Sequence, residues 1–324
     1  MRVLITGGAG FVGSTMTKHF LAAGWDVNVL DELWFDPGVP DLFRDNPRYR
    51  FIRGSILDPA ALKKSLESVD FVVHAAAVVG EPASKKFPDL TQKVNYEGSR
   101  QLIQSLAGSP VKGMVFLSTC SNYGIADGVA NENTALMPLS VYSDTKIKIE
   151  RYLMDEAKQV NWVICRLSTV YGMSPRMRFD LTVNDFTANA FRDGALSIFL
   201  PHTFRPYIHV QDVARVIGAI IRDFDRVKNN VFNVGFSGEN YQKIKIAEIV
   251  KQLLPGLKLD IVTTGTDTRD YQVDFSKLQQ TLDVPRRWDV RSGAQEILEV
   301  LRRGEIADSQ AAKYYNTNPV LSPA

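Results

Sequence analysis

The first half of the chain alternates short apolar runs with longer segments in which apolar residues recur at helical spacing. The runs are apolar at successive positions rather than at alternate ones, which is typical of strands buried on both faces of a sheet. We predict strands at 3–5, 27–30, 50–52, 71–73, 114–117 and 162–165. We predict helices between them at 12–23, 59–66, 87–106 and 142–159.

The regular succession of strand, helix and strand predicts an α/β fold with a doubly wound parallel sheet of the Rossmann type. The alternation stops after Gly172, but a helix at 207–221 and a buried strand at 231–235 would rejoin the sheet. Open α/β sheets bind ligands above the carboxyl ends of their strands, where a second lobe would lie. We therefore predict a Rossmann domain of residues 1–172 and 205–238, a smaller interleaved lobe of residues 173–204 and 239–305, and a tail of residues 306–324.

A glycine-rich loop separates the first predicted strand from the first predicted helix. Gly7, Gly10 and Gly13 permit a tight turn, close approach of the backbone to a pyrophosphate, and close contact between helix and strand. Asp31 follows the second strand, 18 residues after Gly13, where its carboxylate can accept hydrogen bonds from a ribose diol. The two residues after Asp31 offer no cation for a 2′-phosphate. The pattern therefore predicts a dinucleotide site that favours NAD over NADP.

A tyrosine and a lysine stand four residues apart in the helix predicted at 142–159. Tyr142 and Lys146 share one helix face, where an ammonium group can stabilise a phenolate and lower the pKa of the phenol. A tyrosine in that state can exchange a proton with a substrate hydroxyl. Thr119 follows the fifth strand and would face the ligand crevice. The chain thus carries a candidate acid/base pair beside a candidate dinucleotide site.

Together these motifs resemble the extended short-chain dehydrogenase/reductase family, in particular its NAD-dependent nucleotide-sugar epimerases and dehydratases of the UDP-glucose 4-epimerase type. The resemblance extends over nearly the whole chain. It implies an enzyme that uses NAD, acts on a nucleoside-diphosphate sugar, and has Thr119, Tyr142 and Lys146 as catalytic residues. It also implies that the smaller lobe binds the nucleotide-sugar.

The resemblance implies a set of binding residues as well. The expected cofactor residues are Gly7, Gly10, Phe11, Val12, Gly13, Asp31, Ser55, Ile56, Ala75, Ala76, Ala77, Asn95, Tyr142 and Lys146. The expected substrate contacts are Thr119, Thr169, Arg178, Asn184, Arg205 and Arg269, with Arg205 and Arg269 on the diphosphate.

Departures from the family pattern bear on the reaction. Dehydratases of the family place an Asp-Glu pair after the catalytic threonine, whereas this chain has Cys120 and Ser121, so 4,6-dehydration lacks its acid and base. Ser55 replaces an aspartate on the cofactor side, and Thr169 replaces an asparagine near the sugar. We therefore expect an epimerase that acts through a transient 4-keto sugar. The alternatives are an NAD(P)H-dependent nucleotide 4-ketosugar reductase and a dinucleotide-binding regulator without catalysis.

The composition limits the classes of partner that the protein is expected to bind. Lys and Arg number 38 against 36 Asp and Glu, so no positive excess marks a binder of nucleic acid or of a membrane surface. The 2 cysteines match no zinc-ligand spacing, and we expect no metal; His74, at a buried strand end, is interpreted as a core histidine. The chain opens without the apolar segment of a signal peptide, so we expect a cytoplasmic protein. The family resemblance further implies a homodimer that pairs helices 87–106 and 142–159.

Overall fold

The structure is a computed structural model that describes residues 1–265 and 269–319. Residues 266–268 of the predicted lobe and residues 320–324 of the predicted tail lie outside the described residues. The strands in the described ranges are, in chain order, β1 (Arg2–Thr6), β2 (Asp26–Asp31), β3 (Tyr49–Arg53), β4 (Phe71–His74), β5 (Gly113–Thr119), β6 (Ile125–Ala130), β7 (Trp162–Leu167), β8 (Thr169–Tyr171), β9 (Ala195–Phe199), β10 (Phe204–His209), β11 (Asn230–Val234), β12 (Asn240–Gln242), β13 (Lys258–Val262) and β14 (Asp270–Val273).

Helices connect most of these strands. In the described part of the chain, no helix is long and apolar enough to cross a membrane. A π-helical segment at Gln92–Gly98 lies between two of them, and short 3-10 helices occur at Val39–Leu42, Cys120–Tyr123 and Ala312–Tyr314. The α-helices are α1 (Phe11–Ala22), α2 (Pro59–Ser65), α3 (Glu81–Lys86), α4 (Pro88–Thr91), α5 (Ser99–Leu106), α6 (Val141–Asp155), α7 (Thr182–Asp193), α8 (Val210–Arg222), α9 (Phe224–Val227), α10 (Lys243–Leu253), α11 (Ser276–Thr281) and α12 (Val290–Arg302).

The main sheet has seven parallel strands in the order β11-β7-β5-β4-β1-β2-β3, which confirms the predicted doubly wound fold. One apolar core joins its first face to α1 and α8, and another joins its second face to α2, α5 and α6. Because both faces are covered, the central strands are apolar at successive positions, as the sequence predicts. The strand order reverses between β1 and β4, so the loops after these two strands diverge and leave a crevice.

The other strands form small sheets beside the main one. β8 pairs with β10 and β10 with β12, while β9 pairs with β13 and β6 with β14. A third apolar cluster packs α7, α10 and α12 around β9, with Tyr171 and Tyr207 joining it from β8 and β10. Most of this cluster comes from the segments assigned to the smaller lobe, whose boundaries stay a prediction.

The helix predicted at 207–221 is wrong at its start. Residues 204–209 form β10, and α8 begins at Val210. His209 caps the start of α8, since its Nδ1 accepts a hydrogen bond from the Gln211 amide at 3.3 Å. β10 owes its form to its pairing with β8, a contact between distant parts of the chain that local sequence does not reveal. The helix predicted at 87–106 is likewise divided into α4, the π-helical segment and α5.

A buried polar network fixes α6 to the main sheet. Glu150 of α6 and Arg166 of β7 are 0% and 3% exposed, and Arg166 Nη2 lies 2.7 Å from Glu150 Oε2. The Glu150 carboxylate also accepts hydrogen bonds from the Ser118 hydroxyl and from Asn122 Nδ2. Arg166 Nη1 donates to the Tyr123 hydroxyl at 3.0 Å. The network thus joins α6 to β5, to the turn that follows β5, and to β7.

We expect Glu150→Gln to lower the free energy of unfolding by about 3–5 kcal/mol, because it leaves the Arg166 guanidinium buried without a counter-charge. Glu156→Gln, at the exposed end of the same helix, is the matched control and should change it by less than about 0.5 kcal/mol. Urea denaturation of both variants measures the difference. Equal stability of the two variants would show that the pair does not hold α6 in place.

Candidate active site

The glycine loop between β1 and α1 leaves no room for a side chain at Gly7, Gly8 or Gly13, where an added Cβ would lie less than 3.0 Å from neighbouring atoms. Gly7 has a φ of +73°, and its amide donates to the Leu30 carbonyl at 2.8 Å. A Cβ at Gly13 would lie 2.0 Å from the Gly7 carbonyl oxygen. No side chain of the described residues caps the amino end of α1. The first amides of α1 are therefore available to an anion in the crevice, as a dinucleotide pyrophosphate requires.

Asp31, at the carboxyl end of β2, is oriented by the backbone. Its Oδ2 accepts a hydrogen bond from the Ala9 amide at 3.0 Å, and its Oδ1 accepts one from the Leu33 amide at 2.8 Å. Burial raises the pKa of the carboxyl, and the two amides oppose that rise. Each carboxylate oxygen keeps a second lone pair for a ribose hydroxyl.

The glycine loop and Asp31 line an open cleft with about 920 Å³ of empty space, a volume that includes open solvent. Asn95, on the π-helical segment, is buried behind the cleft wall, and its amide group accepts from the Val78 amide at 2.7 Å and donates to the Val78 carbonyl at 2.9 Å. Ser55 Oγ accepts from the Leu57 amide at 3.2 Å and does not line the cleft. The predicted cofactor residues Tyr142 and Lys146 do not line the cleft. Those on the lining are Gly7, Gly10, Phe11, Val12, Gly13, Asp31, Ile56, Ala75, Ala76 and Ala77.

Thr119 and Tyr142 meet although they come from different elements. Thr119 ends β5, and Tyr142 lies in the first turn of α6; both are buried, at 7% and 8% exposure. Thr119 is a hydrogen-bonding neighbour of the Tyr142 phenol and acts to lower its pKa. Burial raises the pKa of the Tyr142 phenol to about 12, and the bond to Thr119 and the positive charges of Arg178 and Arg269 oppose the rise.

Lys146 does not act on Tyr142 as the sequence analysis expects. Its Nζ donates to the Leu117 carbonyl at 2.8 Å and lies 5.9 Å from the centre of the Tyr142 ring. Burial lowers the pKa of the amine to about 7, and the carboxylate of Glu150 opposes this. Contrary to the expectation, the pKa of the Tyr142 phenol is raised, because burial of the hydroxyl outweighs Thr119, Arg178 and Arg269, the neighbours that oppose the rise.

Two arginines predicted to bind the diphosphate lie near Tyr271. The Arg205 guanidinium is 5.1 Å from the centre of the Tyr271 ring, and Arg269 Nε is 3.4 Å from a carboxylate oxygen of Glu81. The Tyr271 hydroxyl lies 3.4 Å from Ser121 Oγ, in the turn after Thr119. The two cations are thus placed on the side of the site formed by β10 and β14.

The remaining predicted contacts lie on β8, in the loop that follows it and on α7. Thr169 is half-buried on β8, and Arg178 pairs with Asp180 at 2.8 Å. Asn184 is fully buried; its Oδ1 accepts from the Gly172 amide at 2.9 Å, and its Nδ2 donates to the Arg178 carbonyl at 2.8 Å. This geometry does not support the expected contact of Asn184 with a sugar hydroxyl, since its amide instead braces the loop that holds Arg178.

The sequence analysis missed several residues on the cleft lining, and three of them come from segments far apart in the chain. They are Phe35, Arg176 and Asn316, from the loop after β2, the loop after β8 and the C-terminal segment. They belong to no contiguous motif, so only the fold brings them together. His74 is a core histidine as expected, since it bonds to Thr6 Oγ1 at 2.7 Å and Ser99 Oγ at 2.8 Å, and burial lowers its pKa to about 3.

The lowered pKa of Lys146 makes the stability of the NAD-free protein depend on pH. The amine titrates near pH 7 when folded and near 10.5 when unfolded, so the unfolded chain binds more protons between these values and stability rises with pH across that range. We expect the unfolding free energy of the wild type, relative to Lys146→Met, to increase from pH 7 to pH 10. A difference that stays flat over this range would contradict the assigned burial.

Comparison with known proteins agrees with this geometry. The family model for the "NAD dependent epimerase/dehydratase family" matches residues 3–235. The chain is 29% identical over 274 residues to a UDP-glucose 4-epimerase of Lactobacillus helveticus, covering 78% of this chain and 82% of that protein. It is 27% identical over 310 residues to UDP-glucuronic acid decarboxylase 6 of Arabidopsis thaliana, covering 90% of this chain and 86% of that protein.

The fold has close structural counterparts. The structure of MoeE5 in complex with UDP-glucuronic acid and NAD superposes with a TM-score of 0.82 at 26% identity, covering 94% of this chain and 100% of that one. The sequence match and the shared fold agree with the glycine loop between β1 and α1, which leaves no room for side chains. The chain belongs to the NAD-dependent epimerase/dehydratase family of extended short-chain dehydrogenases/reductases, and it is an enzyme of that family with NAD as its cofactor.

Proposed function

We propose that this enzyme is a nucleotide-sugar epimerase that inverts C4 through a transient 4-keto sugar. The observation that carries the proposal is that Thr119, a hydrogen-bonding neighbour of the buried Tyr142 phenol, ends β5 at the same edge of the sheet as the glycine loop after β1. Two neighbouring hydroxyl groups can both hydrogen-bond the hydroxyl of a substrate carbinol, and one of the two can exchange a proton with it.

Each of the three residues has a distinct role in this proposal. Tyr142 takes the proton from the sugar O4 and later returns it, while Thr119 hydrogen-bonds the same oxygen. Bound NAD supplies the hydride acceptor and donor together with a positively charged ring. Positive charge near the phenol favours the phenolate, in the same direction as Arg178 and Arg269 already act. Lys146 holds the helix at the Leu117 carbonyl, and we propose that it also binds the nicotinamide ribose.

The substrate class follows from the cations beside the site. Arg205 and Arg269 offer two guanidinium groups, which suit the paired anionic oxygens of a diphosphate. We propose that the smaller lobe, residues 173–204 and 239–305, binds the nucleotide-sugar with Arg269, and that Arg205 and Thr169 of the Rossmann part complete the site. The named relatives make UDP-glucose and UDP-glucuronic acid the first substrates to test.

Dehydration has no support at the positions after Thr119. Cys120 is buried at 1% exposure, its Sγ donates to the Arg166 carbonyl, and burial raises the pKa of its thiol. Ser121 has a hydroxyl group instead of the carboxylate found at this position in the dehydratases. Neither residue can supply the acid and base that elimination of water needs, which favours epimerisation.

The alternative of a 4-ketosugar reductase shares the same three residues and differs in its use of the cofactor. An epimerase regenerates NAD within each turnover, whereas a reductase consumes external NADH. Interconversion of sugar epimers by the purified enzyme without added reductant therefore supports the epimerase, and strict dependence on NADH supports the reductase. A regulator without catalysis would show neither activity.

We expect Tyr142→Phe to lower kcat by about 10²–10⁴-fold, because it removes the group that exchanges the O4 proton while keeping the aromatic ring. Tyr49→Phe, which removes a half-buried hydroxyl from edge strand β3, is the control and should keep full activity. Product analysis by chromatography of the epimeric UDP-sugars measures both rates. Undiminished turnover in Tyr142→Phe would sink the catalytic assignment.

We also propose a homodimer formed by α6 and the π-helical segment with α5. These helices lie on the outer side of the sheet, where the Arg100 guanidinium packs 4.8 Å from the Tyr152 ring centre and 5.6 Å from that of Tyr96. A rigid group of aromatic and arginine side chains on adjoining helices is a suitable centre for an interface. Light scattering should give twice the 36.2 kDa chain mass; a single species at the chain mass would refute the dimer.

A further inference from the structure

Two buried polar side chains that no proposed catalytic step uses face the cofactor cleft. Arg176 is 2% exposed and Asn316 is 9% exposed, and both line the cleft. Among the described residues, Arg176 Nε and Nη2 and Asn316 Oδ1 have no hydrogen-bond partner. Burial of a guanidinium without a partner is unfavourable. These atoms therefore indicate a ligand that completes their hydrogen bonds.

The Arg176 side chain lies in the same cleft as the glycine loop. Its amide donates to Ser14 Oγ at 3.2 Å, and Ser174 Oγ donates to the Phe11 carbonyl at 2.6 Å, so this loop lies on the first turn of α1. Its guanidinium lies 4.3 Å from the centre of the Phe35 ring, on the other side of the cleft. The side chain thus extends from the first turn of α1 to the loop after β2, and it lines the same cleft as Phe11, Val12 and Gly13 at the amino end of that helix.

The C-terminal segment closes the same side of the cleft. Its backbone is tied to the loop after β8, because the Asn316 amide donates to Asp180 Oδ2 at 2.9 Å. Two further contacts tie it to the Rossmann part: Lys313 Nζ lies 3.4 Å from Asp36 Oδ2, and Lys86 Nζ donates to the Thr317 carbonyl at 2.7 Å. The segment is therefore fastened on both sides of the cleft and carries Asn316 across it. It lies beyond residue 235, where the family match ends.

We propose that Arg176 and Asn316 form a clasp that closes over the dinucleotide and retains it between turnovers. Arg176 binds oxygens of the pyrophosphate, since a dianionic diphosphate beside a helix amino end supplies the missing acceptors and neutralises the buried cation. Asn316 Oδ1 accepts a hydrogen bond from a donor on the adenosine half. The inference rests on the proposed epimerase, because an enzyme that regenerates its cofactor in each cycle benefits from slow release.

The first test is Arg176→Gln in the full-length chain. We expect NAD to dissociate about 10–100-fold faster, the range that loss of a charge-assisted hydrogen bond predicts. Binding of ADP should weaken by a similar factor, while binding of adenosine stays unchanged, since only ADP carries the diphosphate. Arg192→Gln, an exposed arginine on α7, is the control and should leave all three unchanged.

The second test is Asn316→Ala, with Asn318→Ala, an exposed neighbour, as its control. Asn316→Ala should speed NAD dissociation about 5–10-fold and weaken ADP and adenosine alike, because its contact is with the half that both probes share. Stopped-flow displacement of bound NAD gives the rates, and calorimetry with ADP and adenosine gives the affinities.

Stability separates a clasp from a structural role. Removal of an unpaired buried charge should leave the Tm of charcoal-stripped, NAD-free Arg176→Gln equal to the wild type or higher. A clear fall in that Tm would overturn the proposal, and so would unchanged NAD release in both variants. An effect confined to NADP would also overturn it, because it would place Arg176 at a 2′-phosphate. Fast NAD release with turnover still dependent on Tyr142 supports the clasp, whereas normal release in these variants removes the clasp and leaves the epimerase proposal intact.

Discussion

The attachment of α6 to the sheet determines the geometry of the active site. Glu150 is paired with Arg166 at 2.7 Å, and one turn earlier Lys146 donates to the Leu117 carbonyl at 2.8 Å. Tyr142 lies one further turn toward the amino end on the same face, so these bonds fix where its hydroxyl meets Thr119. Apolar packing alone would let the helix rotate or slide, whereas these directional bonds cannot shift without leaving buried charge unpaired.

The burial that fixes the geometry also sets the charge state. It raises the pKa of Tyr142 to about 12 and lowers that of Lys146 to about 7, so both groups favour their neutral forms. In the proposed mechanism, positive charge from Arg178, Arg269 and the nicotinamide ring shifts the phenol toward phenolate. The acid/base group would then become reactive only when the cofactor is in place, and the clasp would keep it there.

The sequence predicts those parts of the molecule that local pattern encodes. The strands of the main sheet are apolar at successive positions, and the Gly7-Gly10-Gly13 spacing marks the glycine loop, in which a Cβ at Gly13 would lie 2.0 Å from the Gly7 carbonyl oxygen. Features that depend on distant contacts could not be predicted: β10 is a strand because β8 pairs with it. The buried state of Lys146 and the bracing role of Asn184 likewise arise from the fold around them.

The most direct test of hydroxyl-centred catalysis uses a UDP-sugar labelled with deuterium at C4. If Tyr142 moves only the hydroxyl proton and the carbon-bound hydrogen passes to the tightly held cofactor and back, the epimeric product keeps all of the label in ordinary water. Mass spectrometry of product formed by the wild-type enzyme measures the retained deuterium. Full retention is the expected result, and replacement of the label by solvent hydrogen would contradict the account.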